Sequence, residues 1–488
     1  MSLASAEWHP RPDLDAAAAL GGALRDVGYD EEAIEDLLGE DGAAADRADR
    51  VVFAQRLPDD EVGDTVRLLL LQLPVSTRGA TAALGAAGVD ALVTIGFALE
   101  EAGELVPRAR IVPTEGLLLA FDGFSQGLAD RSGWVAGFTP TAYWLASLTP
   151  RQRAHRALDI GTGNGAHALI AAGHADRVIA TDVNPRALAF TAVSAALNGI
   201  DNVETRLGSL FEPVAGESFD LITCNAPYVV SPERRWHYRD AGLPGDAFSE
   251  QVVRQAVRHL AEGGFASVVV SWIAESEDEP DEHVHAWLDG SGCDAWLLGV
   301  RGADPLDHAA EWNEHLVDDS PAFQEALDEW TGYVEALGAG WITEGAVVMH
   351  RRAGDHHLTR ADPVDEDELE YAGAQIQRVF AGLALLASEG AEALDARKLR
   401  LADEVWFDQE LDRTGAVVAT TAVLDEGTHS EVELEPATAE LLIALDGATT
   451  LGRAVDRVVR RRHLSQGAAA RLHRDVRELL ELGFLDVL

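Results

Sequence analysis

Three runs between Ala157 and Pro232 carry residues able to do chemistry: ALDIGTGNGAHAL, then VIATDVNP, then FDLITCNAPYVVSP. In the first, Asp159 and the glycines Gly161, Gly163 and Gly165 follow a short apolar strand, Ala157–Ile160, and lead into a helix over His167–Ala172. Glycines belong where the backbone turns tightly and lets a ligand approach. They stand at every second position behind an acid, unlike the GxGxxG of dinucleotide sites. An acid there suits a ligand with a cationic ammonium and no pyrophosphate. In the second run, Asp182 closes the strand Arg177–Thr181, where a carboxylate can accept from both hydroxyls of a ribose. In the third, the buried strand Phe219–Thr223 delivers Asn225-Ala226-Pro227-Tyr228 at its carboxyl end, where open α/β sheets place ligands.

The last group points to a nitrogen. An amide or aromatic amine is a poor nucleophile because its lone pair is delocalised. The side-chain oxygen of Asn225 and the carbonyl of Ala226 can accept its two N–H bonds and aim the lone pair at an electrophile. Pro227 stiffens the turn and Tyr228 offers a ring face to a planar group. Rate enhancement would come from position and electrostatics, without a covalent intermediate. Taken singly, a glycine turn can be plain left-handed geometry, and Asn-x-Pro-Tyr a strand-ending turn with a packed tyrosine. In this order in one βαβ-rich segment, the three describe a site for S-adenosylmethionine (SAM) beside a pocket for a planar nitrogen.

Residues 134–273 resemble the class I SAM-dependent methyltransferases that carry an N-P-P-Y motif, and within them the HemK/PrmC-type protein-glutamine N5-methyltransferases. Their "methyltransferase small domain" relatives modify guanine N2 in ribosomal RNA. Gly137-Phe138-Thr139-Pro140-Thr141 resembles the segment that lies over the cofactor before the first strand, and Asp240–Asp246 with Gly263-Gly264-Phe265 the stretch into the fifth. The resemblance implies that Asp159, Gly161, Thr162 and Gly163 line the methionine end and that Asp182 and Val183 serve the nucleoside. Phe138, Thr139, Ser209 and Asn225 complete the cofactor set, and Asn225, Pro227 and Tyr228 hold the target. Two positions depart from the family. Ala226 replaces a first proline, and Ser209 stands where relatives often have an acid facing the adenine amine, which leaves adenine to backbone contacts and a weaker hydroxyl.

The elements that position these residues give an α/β fold. The resemblance implies a Rossmann-like domain over residues 131–352 with a seven-stranded, mostly parallel sheet, its sixth strand at Trp296–Val300 and its seventh at Ala346–His350. Residues 1–130 show helices followed by a hairpin, a winged-helix-like outline. Residues 353–488 read as an α+β domain that ends in a second winged-helix-like element. An insertion at Asp307–Leu337 carries Trp312, Trp330 and Tyr333 at helical spacing, either core packing or an aromatic wall over the site.

A formal charge of −45 over 488 residues repels nucleic acid at long range. It suits a high-salt interior, or a protein or small-molecule partner. Lys398 is the only lysine, and eight arginines cluster between Arg453 and Arg477. That run is a solvated helix face or a phosphate-binding patch. Cys224 and Cys293 are the only cysteines, which leaves no disulfide framework. His283-Val-His285 and His356-His357 lack a companion acid pattern, so no metal is expected. No apolar run approaches a membrane span and Met1–Pro10 lacks the order of a signal peptide, so a cytoplasmic location is expected.

The expectation is therefore a SAM-dependent N-methyltransferase, its preferred substrate a protein glutamine side chain. The alternatives are a ribosomal or transfer RNA base methyltransferase (guanine N2 or adenine N6) docking through Arg453–Arg477, and a SAM-binding scaffold or small-molecule methyltransferase. The oligomeric state is left open.

Overall fold

The structure, a computed structural model, describes residues 8–39, 42, 49–124, 133–225, 227–233, 242–354, 357–388 and 391–488. Ala226, Asp240 and His356 lie outside the described residues.

The central sheet has eight strands: β1 Ala154–Ile160, β2 Ala175–Asp182, β3 Val203–Leu207, β4 Phe219–Cys224, β5 Leu260–Ala274, β6 Cys293–Ala303, β7 Trp341–Arg351 and β8 Thr359–Pro363. Their order is β8-β6-β7-β5-β4-β1-β2-β3. Only β7 runs against its neighbours, pairing antiparallel with both β5 and β6. Parallel strands covered on both faces must be apolar along their length, as β1, β4 and the middle of β5 are: Leu158, Ile160, Ile222, Val268 and Val270 are at most 1% exposed. The chain leaves β1 for β2 and β3 on one side and returns to β4 on the other. That reversal opens a crevice at the carboxyl ends of β1 and β4.

The eighth strand corrects the expectation of seven, and the sheet runs past the expected domain boundary at residue 352. Thr359–Pro363 pairs parallel with β6 as an edge strand. An edge strand is held by backbone hydrogen bonds and needs no apolar run, so the polar Thr-Arg-Ala-Asp-Pro gave no periodic signal.

The N-terminal region leans on the helix Pro185–Leu197. Its helix Leu14–Asp26 approaches so closely that a Cβ on Gly21 would lie 2.0 Å from the Leu197 carbonyl oxygen. Arg186 joins Asp122 in a buried ion pair with side chains 8% and 1% exposed, its Nε donating to Oδ2 at 3.0 Å. A short strand, Val75–Ser76, and the hairpin Ala98–Glu101/Glu104–Pro107 form a three-stranded sheet, with the helix Thr77–Thr94 connecting them. Where one hairpin was expected, a second follows at Ala109–Thr114/Leu117–Asp122. Its turn is Glu115-Gly116 with φ of 54° and 70°, the two positive values a tight hairpin turn requires.

At the C-terminal end, Lys398–Leu401 pairs between Asp446–Thr450 and Leu485–Val487. The helices Leu451–Arg462 and Gln466–Glu481 pack Val455, Val458, Leu472, Val476 and Leu479 into a separate core with them. A further antiparallel sheet, Val405–Leu411, Val417–Leu424 and Ser430–Glu433, stands beside it. No described helix is long and apolar enough to cross a membrane.

Candidate functional site

The crevice gathers the three groups singled out in the sequence. After β1 the chain passes through Gly161, Gly163 and Gly165 at φ of 67°, 57° and 90°. Such values strain any residue with a Cβ. At Gly165 a Cβ would also lie 2.9 Å from Thr191 Cγ2, so the turn fits only glycine there. The Gly163 N–H donates to Asp182 Oδ2 at 3.0 Å, and the Asn184 N–H to Asp182 Oδ1 at 2.8 Å. These bonds fix the carboxylate at the end of β2, half-buried. Beside it Val183 is 54% exposed, and Leu207, opposite Asp182 in the β2–β3 pairing, is 61% exposed. Ser209 stands exposed just beyond, its carbonyl accepting from Glu212 N–H at 3.0 Å.

Asp159 is 1% exposed. The Thr223 hydroxyl donates to its Oδ1 at 2.8 Å, whereas buried Oδ2 has no hydrogen-bond partner. Burial pushes its carboxyl up to about 6; the Thr162 and Thr223 hydroxyls and the Ala168 backbone pull it back, and the charge of Asp182 adds to the rise. A buried acceptor left without a donor costs roughly 1–3 kcal/mol, more when charged. A ligand ammonium would supply donor and counter-charge together, so this site fits the amino-acid end of SAM. His167, on the following helix, lies 6.2 Å ring to ring from Phe138. Burial holds it at about 4, which keeps the imidazole neutral.

The segment before β1 is tied to both loops. Asn164 Nδ2 donates to the Ala136 carbonyl and Asn184 Nδ2 to that of Gly133, each at 3.1 Å. Thr139 caps the helix Pro140–Ser147 by accepting from the Ala142 N–H, and its hydroxyl lies 3.2 Å from that of Thr141. Thr141 Oγ1 in turn accepts from Asn225 Nδ2 at 3.4 Å. With Nδ2 on Thr141, Oδ1 is the amide atom free of that bond at the carboxyl end of β4. Burial opposes ionisation of the nearby Tyr228 phenol, and the charge of Glu344 adds to the effect. Pro227 follows Asn225 on the same turn, half-buried.

The insertion between β6 and β7 forms the helices Pro305–Trp312 and Ser320–Ala336. Trp330 is core, 1% exposed, against Val229 and Ala309. Tyr333 packs on Val230 and Ile342, and its hydroxyl accepts from the Gly245 N–H at 2.9 Å. Trp312 does otherwise: it packs with Tyr228 on the Val229–Trp330 cluster while its Nε1 donates to Glu344 Oε1 at 2.9 Å. Sequence reasoning placed Thr141 only in the segment over the cofactor, without a link to Asn225, and had no role for Glu344. The available signal for Glu344 was a lone carboxylate inside the apolar run Trp341–His350.

The arginine run lies outside this crevice, on the helices Leu451–Arg462 and Gln466–Glu481. Arg461 and Arg462 share Glu440 at 3.2 and 2.5 Å, Arg471 pairs with Glu435 at 3.3 Å, and Arg460 with Asp456 at 3.8 Å. Four of its eight arginines thus already have acids as partners.

Comparison with known proteins matches residues 139–284 to the methyltransferase small domain, and residues 26–109 to a domain of unknown function, DUF7059. A ribosomal protein uL3 glutamine methyltransferase of Xanthomonas campestris is 30% identical over 217 residues, which cover 40% of this chain and 67% of that protein. A release factor glutamine methyltransferase of Aquifex aeolicus is 30% identical over 174 residues, 32% of this chain and 61% of the relative. Another, from Aliivibrio fischeri, is 42% identical over 88 residues, 17% and 30% of the two chains. The chain spans less than two thirds of the Aquifex protein, and more than half of its own length lies outside each match.

Proposed function

The chain belongs to the HemK/PrmC-like class I SAM-dependent methyltransferases, and from that premise we propose that it methylates a planar amide or amine nitrogen, preferably a protein glutamine side chain. The observation that carries the proposal is the placement of Asn225 just past the carboxyl end of β4, its side-chain amide tied to Thr141 at the start of the helix Pro140–Ser147. With Nδ2 on Thr141, Oδ1 would serve as the acceptor for an N–H of the target nitrogen. SAM supplies a methyl group on a sulfonium, activated towards displacement. The chain's residues bind and orient. Asp159, with Gly161, Thr162 and Gly163, holds the amino-acid end, Asp182 the ribose hydroxyls, and Val183 and Ser209 the adenine. Phe138 and Thr139 cover the cofactor, while Pro227 and Tyr228 shape the acceptor pocket. Holding a delocalised nitrogen in line with the methyl supplies the rate through position.

A protein substrate is supported by the relatives, named for release factor and ribosomal protein glutamines, and by the net charge of −45. The RNA alternative finds no support in an arginine run half occupied by its own acids. The two flanking regions, read as winged-helix-like, would serve to dock the substrate. The test is labelling of a cell lysate with tritiated SAM, followed by separate nuclease and protease digestion. Protease-sensitive, nuclease-resistant label is expected; nuclease-sensitive label would reassign the substrate to RNA.

A further inference from the structure

Glu344 has no structural need to be an acid. It lies in the middle of β7, 5% exposed, and accepts one hydrogen bond, from Trp312 Nε1. A glutamine would accept that bond equally well with no charge to desolvate. Its register neighbour Arg301 is turned to Glu366, with Nη2 to Oε1 at 2.7 Å, and to Glu311 at 3.3 Å. His308 Nδ1 approaches Glu344 Oε1 only to 4.0 Å, and its Nε2 lies 2.9 Å from the Val230 carbonyl oxygen. Among the described residues Oε2 has no partner.

Two links place this carboxyl beside the acceptor pocket. Across the β5–β7 pairing Glu344 stands opposite Ser271, and directly paired residues share a face of the sheet. The Ser271 hydroxyl donates to the Tyr228 carbonyl oxygen. From the other side, Trp312 joins Glu344 to the cluster on which Tyr228 packs. We propose that Glu344 is a catalytic residue that contacts the methyl acceptor, its Oε2 accepting an N–H of the target nitrogen and then the proton that nitrogen sheds. This rests on the nitrogen-acceptor reading given above. In the step the nitrogen forms a bond to the methyl carbon as the carbon–sulfur bond breaks, and S-adenosylhomocysteine departs with the electron pair. The proton lost from nitrogen passes to Oε2 and from there to water.

Burial holds the Glu344 carboxyl up at about 7, the Trp312 bond and Arg301 lowering it and the charges of Glu311 and Glu366 raising it. The groups facing it are thus Arg301 from β6, His308, Glu311 and Trp312 from the helix Pro305–Trp312, Tyr228 after β4, and Glu366. A proton acceptor with that value works near neutral pH.

The test uses the full chain, tritiated SAM at a concentration that saturates the protein at every pH, and the macromolecular fraction of a cell lysate as acceptor, with initial rates from pH 5.5 to 8.5. Parent protein should gain rate about tenfold per pH unit below pH 7 and level off above it. Glu344→Gln should bind S-adenosylhomocysteine like the parent, which shows it folded, yet lose about two orders of magnitude in rate together with that acidic limb. Glu344→Asp should recover part of both. A Glu344→Gln variant with the parental rate and pH profile would overturn the role of Glu344 and leave the nitrogen reading standing. Parental label on oxygen or carbon would overturn the reading and the proposal with it.

Discussion

Cofactor affinity should depend on pH through Asp159. The carboxyl is buried and pushed up from 3.8 to about 6, with Oδ2 lacking a donor. Folded protein therefore keeps, between pH 3.8 and 6, a proton that the unfolded chain releases. The stability cost grows as pH rises through that window and is constant above it. About two units at 1.36 kcal/mol each is roughly 3 kcal/mol for the cofactor-free protein at neutral pH. An ammonium at Oδ2 binds the ionised form, so affinity for S-adenosylhomocysteine should be full at pH 7 and fall about tenfold, near 1.4 kcal/mol, by pH 5, where roughly nine in ten carboxyls are protonated. His167, held at about 4, stays neutral across the range. Asp159→Asn should remove the pH dependence, weaken binding at pH 7, and raise the unfolding midpoint of the free protein at pH 7 with little change at pH 4. Calorimetric titration at pH 5, 6 and 7, with thermal unfolding of both proteins, measures each effect. Equal parental affinity at pH 5 and 7, or an Asp159→Asn variant less stable than the parent at pH 7, would refute the reasoning.

Further predictions concern neighbouring contacts. Asp182→Ala should weaken S-adenosylhomocysteine binding by about 1.5–3 kcal/mol, the scale of hydrogen bonds to a charged group; unchanged affinity in calorimetry would remove Asp182 from the site. Asn225→Ala should keep that affinity and lower turnover by about two to three orders of magnitude. Thr141→Val, which releases Nδ2 and lets the amide turn over, should cost about tenfold in turnover, and parental rates would count against the orientation argument. Asp122→Ala strands the buried Arg186 guanidinium, and a loss of about 3–5 kcal/mol is expected in denaturant unfolding.

What the sequence disclosed was local. Asp159, Asp182 and Asn225 each end an apolar strand, and the βαβ order places strand ends on one edge of a sheet, so their convergence followed from pattern and connectivity. The contacts that finish the site come from residues distant in sequence. Thr141 meets Asn225 across 84 positions, and Glu344 reaches the Tyr228 cluster only because β7 inserts antiparallel between β5 and β6. No periodicity encodes such meetings. The edge strands tell the same story: Thr359–Pro363 and Lys398–Leu401 are recruited by backbone pairing, which a polar or mixed sequence satisfies as well as an apolar one.

The most direct test of the central claim is the chemical position of the transferred methyl. Protein labelled with tritiated SAM is digested and its label characterised before and after acid hydrolysis. A methyl on a side-chain amide nitrogen leaves as radioactive methylamine when the amide is hydrolysed. The account predicts release of most of the label in that volatile form, and its absence from the product made by Asn225→Ala. Label that survives hydrolysis bound to an amino acid, or that is lost on nuclease treatment, would contradict the account.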